Sequence, residues 1–555
     1  MKGVTDLNCR IAIVGAGAAG LVSAALLLQR GIDVDIFDDG DGPCTLPQAH
    51  VINTRTSEIL AEIGAFEELR TIAAPIDRVQ SIAWVESLAG RRFGRLDLIK
   101  DQASGASRAD ASAVHALNVG QNHFEQVVAT RLAKMGGTIH YRHRVVDAAV
   151  DNAKAVLSIR DADDIISTRN YDYVLACDGA RSMVRESLGI AMVGPPSIAR
   201  YASAYFTADL SHLIGDISGP VAFIGGPDVR GVLIGFDIAN SWALMCVMPP
   251  DRTSDDFQPD VMRELIYRAI GDRTAPIRLD GVGSWNMSAQ VAENFRHGPF
   301  FLVGDSAHRF PPTGGLGLNT GVQDAHNLAW KLAYVIQGKA PAALLDSYAE
   351  ERMPVARANC AHSLDNAMKL AEVDAALGVS FLAPVDPTVV ARAESSMPTF
   401  ALDRGNGDET RRAVAHAIEA QRRHFDSLTH ELGYVYGARE PYPEEEPYAS
   451  SLRSGGRLPH ALVAGPLGMV SLHALCAGDG LTLLIGKDIE IGTLPALPAQ
   501  VALRQMPAAI PNILNGSEMI LIRPDGHVAW VGSVQDSAGL DGALNMIIRS
   551  DMLTT

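Results

Sequence analysis

The sequence lacks the features that mark metal proteins, disulfide-bonded proteins, membrane proteins and nucleic-acid-binding proteins. Its six cysteines are scattered along 555 residues, with no CxxC pair and no metal-ligand spacing, which indicates reduced thiols. No apolar run is long enough to cross a bilayer, and the opening MKGVTDLNCR has no secretory apolar core. A net charge of -17 disfavours nucleic acid and anionic membrane surfaces as partners. We therefore predict a cytoplasmic protein of roughly two or three domains with no metal, nucleic-acid or membrane partner.

The excess of acidic residues means that any anionic cofactor must be held by local donors, and the N-terminal region offers them. A short apolar strand leads directly into Gly15-Ala-Gly17-Ala-Ala-Gly20, and an apolar helix, a second strand and Asp38 follow. Strand, GxGxxG, helix and strand in this order predict a dinucleotide site, with Asp38 accepting hydrogen bonds from a ribose. The pattern does not distinguish FAD from NAD.

A second informative stretch is GDSAHRFPPTGGLGLNTGVQDAHNLAWKL at 304–332. It predicts a strand end, the carboxylate of Asp305, a loop rich in proline and glycine, and a helix that begins near Leu318-Asn319. The free N–H groups of such a helix start attract negative charge, while Asp305 can accept hydrogen bonds from hydroxyl groups. This combination suits a reduced flavin, whose ring edge is electron-rich. Alternatively, Asp305 caps a helical turn and the glycines only form a loop.

Two further polar positions stand at predicted element boundaries. Gln121 opens a predicted helix and is either a cofactor contact or an ordinary polar first-turn residue. Asp178-Gly179 ends a predicted strand and precedes Arg181, an arrangement that suits phosphate and ribose contacts. The alternative for this pair is a simple Asp-Gly turn.

Residues 50–64, HVINTRTSEILAEIG, run from an extended segment into a helix for which Thr56 is the predicted N-cap. His50 stands just before this helix, in a segment expected to pass near the first nucleotide loop. A neutral imidazole there could take a proton from a phenol. The alternative for His50 is a surface or structural histidine, one of sixteen in the chain.

The middle of the chain has a different pattern. Short alternating runs between 199 and 285, broken by Gly, Pro and Asn, predict an antiparallel sheet whose aromatic face could roof a pocket. No cluster of Arg or Lys marks a carboxylate clamp there, which favours a neutral phenol over an aromatic acid. Further on, residues 344–357 are predicted as a helix that ends loosely near Pro354, and residues 409–428 as another helix.

Three motifs in order carry a resemblance to a known family: GAGAAG at 15–20, CDGARS at 177–182 and GDSAHRFPPTGGLGLN at 304–319. The chain resembles the class A single-component flavoprotein aromatic hydroxylases, the para-hydroxybenzoate hydroxylase superfamily, from near residue 10 to near residue 360. It looks closest to phenol-type members such as 2-hydroxybiphenyl 3-monooxygenase and 2,4-dichlorophenol 6-monooxygenase. The resemblance implies FAD as cofactor, NADH or NADPH and O2 as co-substrates, and hydroxylation of a phenol ortho to its hydroxyl through a flavin C4a-hydroperoxide.

The resemblance implies an α/β fold in which a Rossmann-like FAD-binding domain carries an inserted antiparallel-sheet substrate domain and a thioredoxin-like C-terminal domain. The predicted boundaries are 1–190 and 286–370 for the FAD-binding domain, 191–285 with parts of 75–105 for the substrate domain, 371–449 for a helical or linker region, and 450–555 for the C-terminal domain. The run Glu444-Glu445-Glu446-Pro447 marks the last boundary. Because the C-terminal domain lacks CxxC, we expect it to serve packing or oligomer contacts rather than thiol chemistry.

The resemblance also assigns roles by position. His50 occupies the place of a histidine proposed as the base in phenol-type enzymes, and the Pro312 carbonyl would face the substrate hydroxyl. Asp305 would hold the ribityl or pyrophosphate region of FAD, and Leu318 and Asn319 would donate backbone N–H groups to the flavin ring. The full predicted cofactor-binding set is Gly15, Gly17, Ala19, Gly20, Asp38, Gln121, Asp178, Gly179, Gly304, Asp305, Gly317, Leu318 and Asn319.

The chain departs from the family pattern at three positions near the predicted cofactor. Ala18, Asp38 and Gln48 stand where family members usually have Pro, Glu and Arg. Because Gln48 replaces an arginine near the pyrophosphate, the sequence leaves open how tightly FAD is held.

We predict an FAD-dependent monooxygenase that hydroxylates a small phenolic ring with NAD(P)H and O2 and that forms a homo-oligomer, a dimer or larger. One alternative is hydroxylation of a larger polyketide or other ring, or oxidative removal of a ring substituent. Another is a non-enzymatic flavin- or aromatic-binding protein on the same fold, which would not consume NAD(P)H. A flavoprotein disulfide reductase is disfavoured because CxxC is absent.

Overall fold

The computed structural model of the chain describes residues 9–75, 78–79, 81–98, 108–215, 219–392, 407–425, 427–442, 448–465 and 468–548. These residues form an α/β structure, so the predicted fold class is confirmed. The acidic run 444–447, which marked the predicted boundary before the C-terminal domain, lies outside the described residues. Among the helices that are described, none combines the length and apolarity needed to cross a membrane.

The first large sheet has six strands and is mostly parallel. Ile11–Val14 lies inside it and pairs in parallel with Val34–Phe37 on one side and Tyr173–Ala176 on the other. Such strands are apolar because helices cover both faces of a parallel sheet. In spatial order the strands are Arg296–His297, Phe300–Leu302, Tyr173–Ala176, Ile11–Val14, Val34–Phe37 and Ile139–His140.

Helices and small sheets surround this first sheet. Ala18–Gln29 packs against the long helix Gly317–Ile336, and the two bring the first glycine loop and the loop at 304–316 to one side of the sheet. The other helices are Thr54–Glu62, Phe66–Ile72, Arg108–Ala111, Gln121–Lys134, Met183–Ser187 and Ser347–Leu377. The small sheets pair Val51–Ile52 with Leu117–Asn118; Arg144–Asp151 with Lys154–Arg160 and Ile166–Tyr171; and Met192–Val193 with Gln290–Ala292 and His308–Arg309.

The second large sheet has seven strands and is antiparallel apart from one pair. Along the strand Ala199–Thr207, Ala202, Ala204 and Phe206 join the core that the sheet shares with helix Pro259–Ile270. The alternate residues of that strand therefore face the opposite side of the sheet. In spatial order the strands are Arg278–Met287, Ala199–Thr207, Ser241–Val247, Arg230–Gly235, Val221–Gly225, Ser81–Val85 and Arg92–Asp97, with the short helix Ser211–Ile214 nearby.

The third large sheet has four strands and belongs to the C-terminal part. Leu481–Ile485 pairs in parallel with Val501–Gln505 and antiparallel with Glu518–Ile522, and helix Ser537–Ile548 shares their core. The remaining elements are the strands Val528–Ser533, Leu462–Gly465 and Gly468–Ser471 and the helices Gly407–Glu419, Arg422–Phe425, Leu428–Leu432 and Leu472–Cys476. The prediction of a single helix at 409–428 was wrong, since helix Gly407–Glu419 ends before a separate short helix, Arg422–Phe425, begins.

Two other local predictions were wrong. The N-cap of helix Thr54–Glu62 is Asn53, whose side chain accepts the Thr56 N–H at 2.9 Å. The helix predicted to end near Pro354 runs through it to Leu377. A proline inside a helix costs about 3 kcal/mol, but this helix also carries Arg352, which is fully buried and paired with Asp324 at 2.7 Å. Contacts to the rest of the fold therefore hold the helix across the proline.

A buried charged network joins the C-terminal sheet to the helices of the first domain. Arg523 pairs with Glu351 at 2.7 Å and with Asp525 at 2.5 Å. Glu351 also accepts the Lys331 ammonium at 2.8 Å, and Trp330 donates its indole N–H to Asp525 at 3.1 Å. These groups satisfy one another across the interface, so the C-terminal sheet is docked by specific contacts.

Candidate active site

A cavity of about 2540 Å³ lies between the first and second large sheets. The first glycine loop and the 304–318 loop form one wall, and the second sheet forms the other. The predicted site residues that line it are His50, Pro312, Gly17, Ala19, Gln121, Asp178, Gly179, Gly304, Asp305, Gly317 and Leu318. The predicted residues absent from its lining are Gly15, Gly20, Asp38 and Asn319.

Gly15 and Gly20 do not line the cavity, but they allow the close backbone contacts that shape the first glycine loop. Gly15 has φ +99°, and a Cβ on it would lie 2.3 Å from the carbonyl oxygen of Cys177. A Cβ on Gly20 would lie 2.0 Å from the carbonyl oxygen of Gly15. Gly17 is the N-cap of helix Ala18–Gln29 and lines the cavity, so the unpaired N–H groups of the helix start lie at the cavity wall. Bare backbone at a helix N-terminus is the arrangement that a pyrophosphate needs.

Asp38 holds the first loop instead of lining the cavity. Its carboxylate accepts the Ala16 N–H at 2.6 Å and the Gly40 N–H at 2.9 Å. The next residue, Asp39, lines the cavity and is exposed. Sequence reasoning missed Asp39, although its place directly after the strand-end carboxylate was a usable signal.

Glu125 is a buried carboxylate beneath the same loop that sequence reasoning also missed. It is 3% exposed and accepts the Gln121 side-chain amide at 2.8 Å and the Cys44 N–H at 3.0 Å. Burial raises the pKa of Glu125, and these donors oppose the rise. Gln121 and Glu125 are four apart on one helix, a spacing that places them side by side and could have pointed to the pair.

Asp178 uses both carboxylate oxygens in the turn that follows its strand. It accepts the Ser182 hydroxyl at 2.5 Å and the Val184 N–H at 3.0 Å, and burial raises its pKa. Gly179 has φ +76°, and the exposed Arg181 also lines the cavity. Residues 178–179 therefore form the Asp-Gly turn, and this turn also lines the cavity.

The proline- and glycine-rich loop is fastened by one side chain. Helix Gly317–Ile336 begins one residue before the predicted start, so the N–H groups of 317–319 have no intrahelical acceptor. The side chain of Asn319 accepts the Asn53 N–H at 2.9 Å and donates to the carbonyls of Val51 at 2.9 Å and Gly315 at 2.6 Å. Its side chain therefore ties the loop to the segment that follows His50.

The Pro312 carbonyl is already used once in this loop. It accepts the Gly315 N–H at 3.1 Å. A carbonyl oxygen has two lone pairs, so one acceptor site is left for a hydroxyl in the cavity.

Asp305 lies deep in the cavity, exposed to its interior and surrounded by protein on the other sides. No hydrogen bond from a described residue stabilises its carboxylate, and burial raises its pKa. Such a carboxylate is available to accept hydroxyl groups of a ligand.

A fully buried network that sequence reasoning missed supports the backbone beside Asp305. Asp324 pairs with Arg352 at 2.7 Å and with His308 at 2.7 Å and accepts the Gly304 N–H at 3.3 Å. Burial alone would raise the pKa of Asp324, but Arg352 and His308 lower it overall. The partners come from separate elements, so no local pattern predicts the group.

The contacts of His50 fix which of its ring nitrogens is free. His50 Nδ1 lies 2.6 Å from Asn118 Oδ1. Asn118 Nδ2 donates to the carbonyls of Gly235 at 3.3 Å and Phe236 at 2.7 Å, so Oδ1 is the acceptor and Nδ1 of His50 must carry the proton. Nε2 is then the unprotonated nitrogen. Burial lowers the pKa of His50, which keeps the ring neutral near pH 7.

The opposite wall of the cavity carries aromatic side chains. Tyr201, Ser203 and Tyr205 alternate along one strand and line it, and Trp285 stacks on Tyr201 with centroids 4.5 Å apart. Phe236 lies between His50 and Tyr205, with ring centroids 5.8 Å and 6.4 Å away. This wall therefore presents flat apolar rings and hydroxyl groups to the cavity.

Comparison with known proteins agrees with this geometry. Residues 8–363 match the family described as FAD binding domain, and residues 451–549 match the family described as aromatic-ring hydroxylase, C-terminal. This chain belongs to the FAD-binding aromatic-ring hydroxylases. The resemblance drawn from the three sequence motifs is confirmed.

Relatives of this hydroxylase align along nearly the whole chain. The 2,4-dichlorophenol 6-monooxygenase of Delftia acidovorans is 28% identical, over 95% of each chain. The tetracenomycin B2 monooxygenase-dioxygenase of Streptomyces olivaceus is 30% identical, over 97% of this chain and 98% of the relative. The flavin-dependent monooxygenase PieE, solved in complex with FAD and substrate, has a TM-score of 0.86 at 27% identity, covering 97% of this chain and 99% of that one.

The hydroxylase is therefore an FAD-dependent aromatic-ring monooxygenase, and NAD(P)H and O2 are the usual co-substrates of these enzymes. The residues present fit FAD. The glycine backbone at the first helix start, the open Asp305 carboxylate and the free N–H groups at 317–319 offer donors and an acceptor along one wall. The alternative of a non-enzymatic binding protein is set aside by the same matches.

Proposed function

We propose that this hydroxylase adds one oxygen atom to a phenolic ring, ortho to the hydroxyl, with His50 as the base. The observation that carries the proposal is the tautomer of His50. Asn118 holds the proton on Nδ1, which leaves Nε2 of a cavity-lining ring as the acceptor. A general base must present a lone pair to the proton that it removes.

His50 acts by sharing the phenol proton as the ring is attacked. A phenol has a pKa near 10 and a histidine one near 6.5, so complete transfer before attack is unfavourable. Partial transfer to Nε2 raises the electron density of the ring at the ortho carbon. The free lone pair of the Pro312 carbonyl can accept the single phenol proton in the resting complex, before that proton is shared with Nε2.

FAD, when bound and reduced by NAD(P)H, supplies the oxygen-transfer chemistry. Asp305 would accept its ribityl hydroxyl groups, the helix start at Gly17 would bind its pyrophosphate, and the N–H groups of Leu318 and Asn319 would donate to its ring. The side chains of Asp38 and Asp178 already accept hydrogen bonds within their own turns. Toward FAD they would therefore offer only their remaining lone pairs and the backbone of those turns. The cofactor side of the cavity is completed by Ala19, Gln121, Gly179, Gly304 and Gly317.

The test is oxidation of NADH and of NADPH by the purified, FAD-supplemented protein, with and without a panel of phenols. The proposal expects that a phenol stimulates oxidation and yields a product one oxygen heavier, whose substitution pattern gives the position of attack. Loss of a ring substituent would support oxidative removal instead. If no phenol stimulates oxidation and none is converted, the proposal is wrong.

We also propose a homo-oligomer in the cytoplasm that acts on a phenolic small molecule. Leu462 and Met469 support an oligomer because they are 59% and 64% exposed on neighbouring strands of the C-terminal part. Sedimentation of the wild type and of a Leu462→Ser, Met469→Ser variant tests it. A wild type that sediments as a monomer at all concentrations would contradict it.

A further inference from the structure

Three cavity-lining residues form a row along strand Ala199–Thr207 of the second sheet. Tyr201, Ser203 and Tyr205 share one face because side chains alternate along a strand. Tyr205 stands at the His50 end, next to Phe236. Tyr201 is four residues farther along, roughly 13 Å at the usual rise of a strand. The row therefore reaches well beyond the length of a single aromatic ring.

The hydroxyl of Tyr201 has no partner among the residues that the structure describes. The Tyr201 side chain is 6% exposed, and burial raises its pKa to about 12. Trp285 stacks on its ring at an angle of 6° and donates its indole N–H to Ser203 at 2.9 Å, so the ring is held in place. The hydroxyl oxygen itself is not fully enclosed, so it is available to donate a hydrogen bond to an occupant of the cavity that reaches it.

The volume of the cavity agrees with a long occupant. Pockets that take one drug-sized ligand measure roughly 300–1,000 Å³. The cavity here is about 2540 Å³, which leaves room for FAD and more than a one-ring phenol. Its far end, around Tyr201, is lined by Met245, Trp285 and Leu382.

We propose that Tyr201 is a specificity residue for a multi-ring phenolic substrate. Its hydroxyl donates a hydrogen bond to a carbonyl or hydroxyl on the ring farthest from His50, while the reacting ring lies beside His50 and Tyr205. The proposal rests on the proposed function for the position of the reacting ring. It adds the substrate class, fused aromatic systems with a polar group at each end.

The test is equilibrium dialysis of the oxidised, FAD-loaded protein against phenol and against three-ring hydroxyanthraquinones that carry a hydroxyl on each outer ring, such as 2,6-dihydroxyanthraquinone, with no NAD(P)H present. Tyr201→Phe should weaken binding of a hydroxyanthraquinone roughly two- to tenfold, the worth of one hydrogen bond. Binding of phenol should not change, because a single ring does not reach Tyr201. Tyr267→Phe, on helix Pro259–Ile270 outside the cavity lining, is the matched control and should change neither.

Other outcomes overturn the proposal. These are failure of every hydroxyanthraquinone to bind the wild type, an unchanged affinity in Tyr201→Phe, or an equal loss for phenol and hydroxyanthraquinone. The proposed function fails separately. If binding depends on Tyr201 but no oxygenated product forms, the role of Tyr201 is supported and the proposed reaction is wrong. If phenols are hydroxylated and the Tyr201→Phe variant is unaffected, the proposed reaction is supported and the role of Tyr201 is wrong.

Discussion

The role of His50 depends on a side chain that contributes no chemistry of its own. Asn118 is fixed by two backbone carbonyls and in turn fixes the imidazole tautomer. Burial lowers the pKa of His50, so the neutral form is present at and below neutral pH. A base whose pKa lies below its ordinary value of about 6.5 loses its free lone pair only in acid.

We expect His50→Ala to slow hydroxylation roughly 10²–10⁴-fold while FAD stays bound. In the wild type the rate should still be high at a pH of about 6.5 and should fall only at lower pH, because burial lowers the pKa at which Nε2 is protonated, and the variant should lack this acidic fall. Product formation measured from pH 5 to pH 8 checks both, with His212→Ala, an exposed histidine on another element, as control. A variant with the wild-type rate would remove His50 from the mechanism.

Asp305 offers a second prediction, about retention of FAD. Its carboxylate receives no hydrogen bond from the described protein, so a ligand hydroxyl would make a new charge-assisted bond of about 1.5–3 kcal/mol. We expect Asp305→Ala to weaken FAD binding roughly 10- to 150-fold. Titration of the apoprotein with FAD, followed by flavin fluorescence, measures this. Asp260→Ala, an exposed carboxylate on helix Pro259–Ile270, should bind FAD normally.

Between elements, close approach of backbones decides the shape of the cofactor wall. Gly15 and Gly20 let a helix and two strands meet at distances that a single Cβ would block. Asn319 also brings two elements together, here through hydrogen bonds. Its side-chain amide joins the start of helix Gly317–Ile336 to the strand that follows His50. The position of His50 and the position of the loop before this helix therefore both depend on the Asn319 junction.

We expect Asn319→Ala to lower the free energy of unfolding by about 2–4 kcal/mol, because buried backbone groups of Asn53, Val51 and Gly315 lose their partner at about 1–3 kcal/mol each, with partial relaxation. Urea unfolding checks the stability, and FAD titration checks whether the loop still supports the ring. Asn240→Ala, in an exposed turn, should stay within about 0.5 kcal/mol of the wild type. Equal stabilities of the two variants would contradict the junction.

Across the whole molecule, the charged network of Glu351, Lys331, Arg523 and Asp525 joins the C-terminal sheet to the cofactor domain. Burial alone would raise the pKa of Glu351, but Arg523 and Lys331 lower it to about 2. A carboxyl whose folded pKa is lowered contributes stability that is complete above its unfolded value of about 4.5 and is lost as the pH falls toward 2.

We expect Glu351→Gln to cost about 3–5 kcal/mol at pH 7, because it removes the carboxylate that the buried Lys331 pairs with and one of the two that Arg523 pairs with. The difference from the wild type should shrink as the pH falls from about 4.5 toward 2, where the wild-type carboxyl also becomes neutral. Denaturant unfolding at several pH values measures it. The neighbouring Glu350 is exposed on the same helix, so Glu350→Gln should be close to neutral at every pH. A pH-independent gap would show that the charge of Glu351 is not responsible.

Features of the fold that depend on interactions within a few residues were predicted correctly from the sequence. The first glycine loop, the alternation at 199–207 and the Asp-Gly turn at 178–179 are set by sterics and side-chain period within a few residues, and they fold as predicted. The stop near Pro354 was wrong because the cost of proline is local, whereas the contacts that outweigh it come from distant elements.

The sequence by itself determined the α/β class and the family, and most of the site residues that it predicted line the cavity, because motif residues keep their spacing along the chain. Only the tertiary structure decided which nitrogen of His50 is free, since Asn118 lies 68 residues away. It also decided that Asp38 holds a loop, that the Tyr201 hydroxyl has no partner among the described residues, and that Glu351 pairs with Arg523 across 172 residues. Each of these features depends on which hydrogen-bonding groups find partners when elements distant in sequence pack together. A local sequence pattern contains no information about such partners.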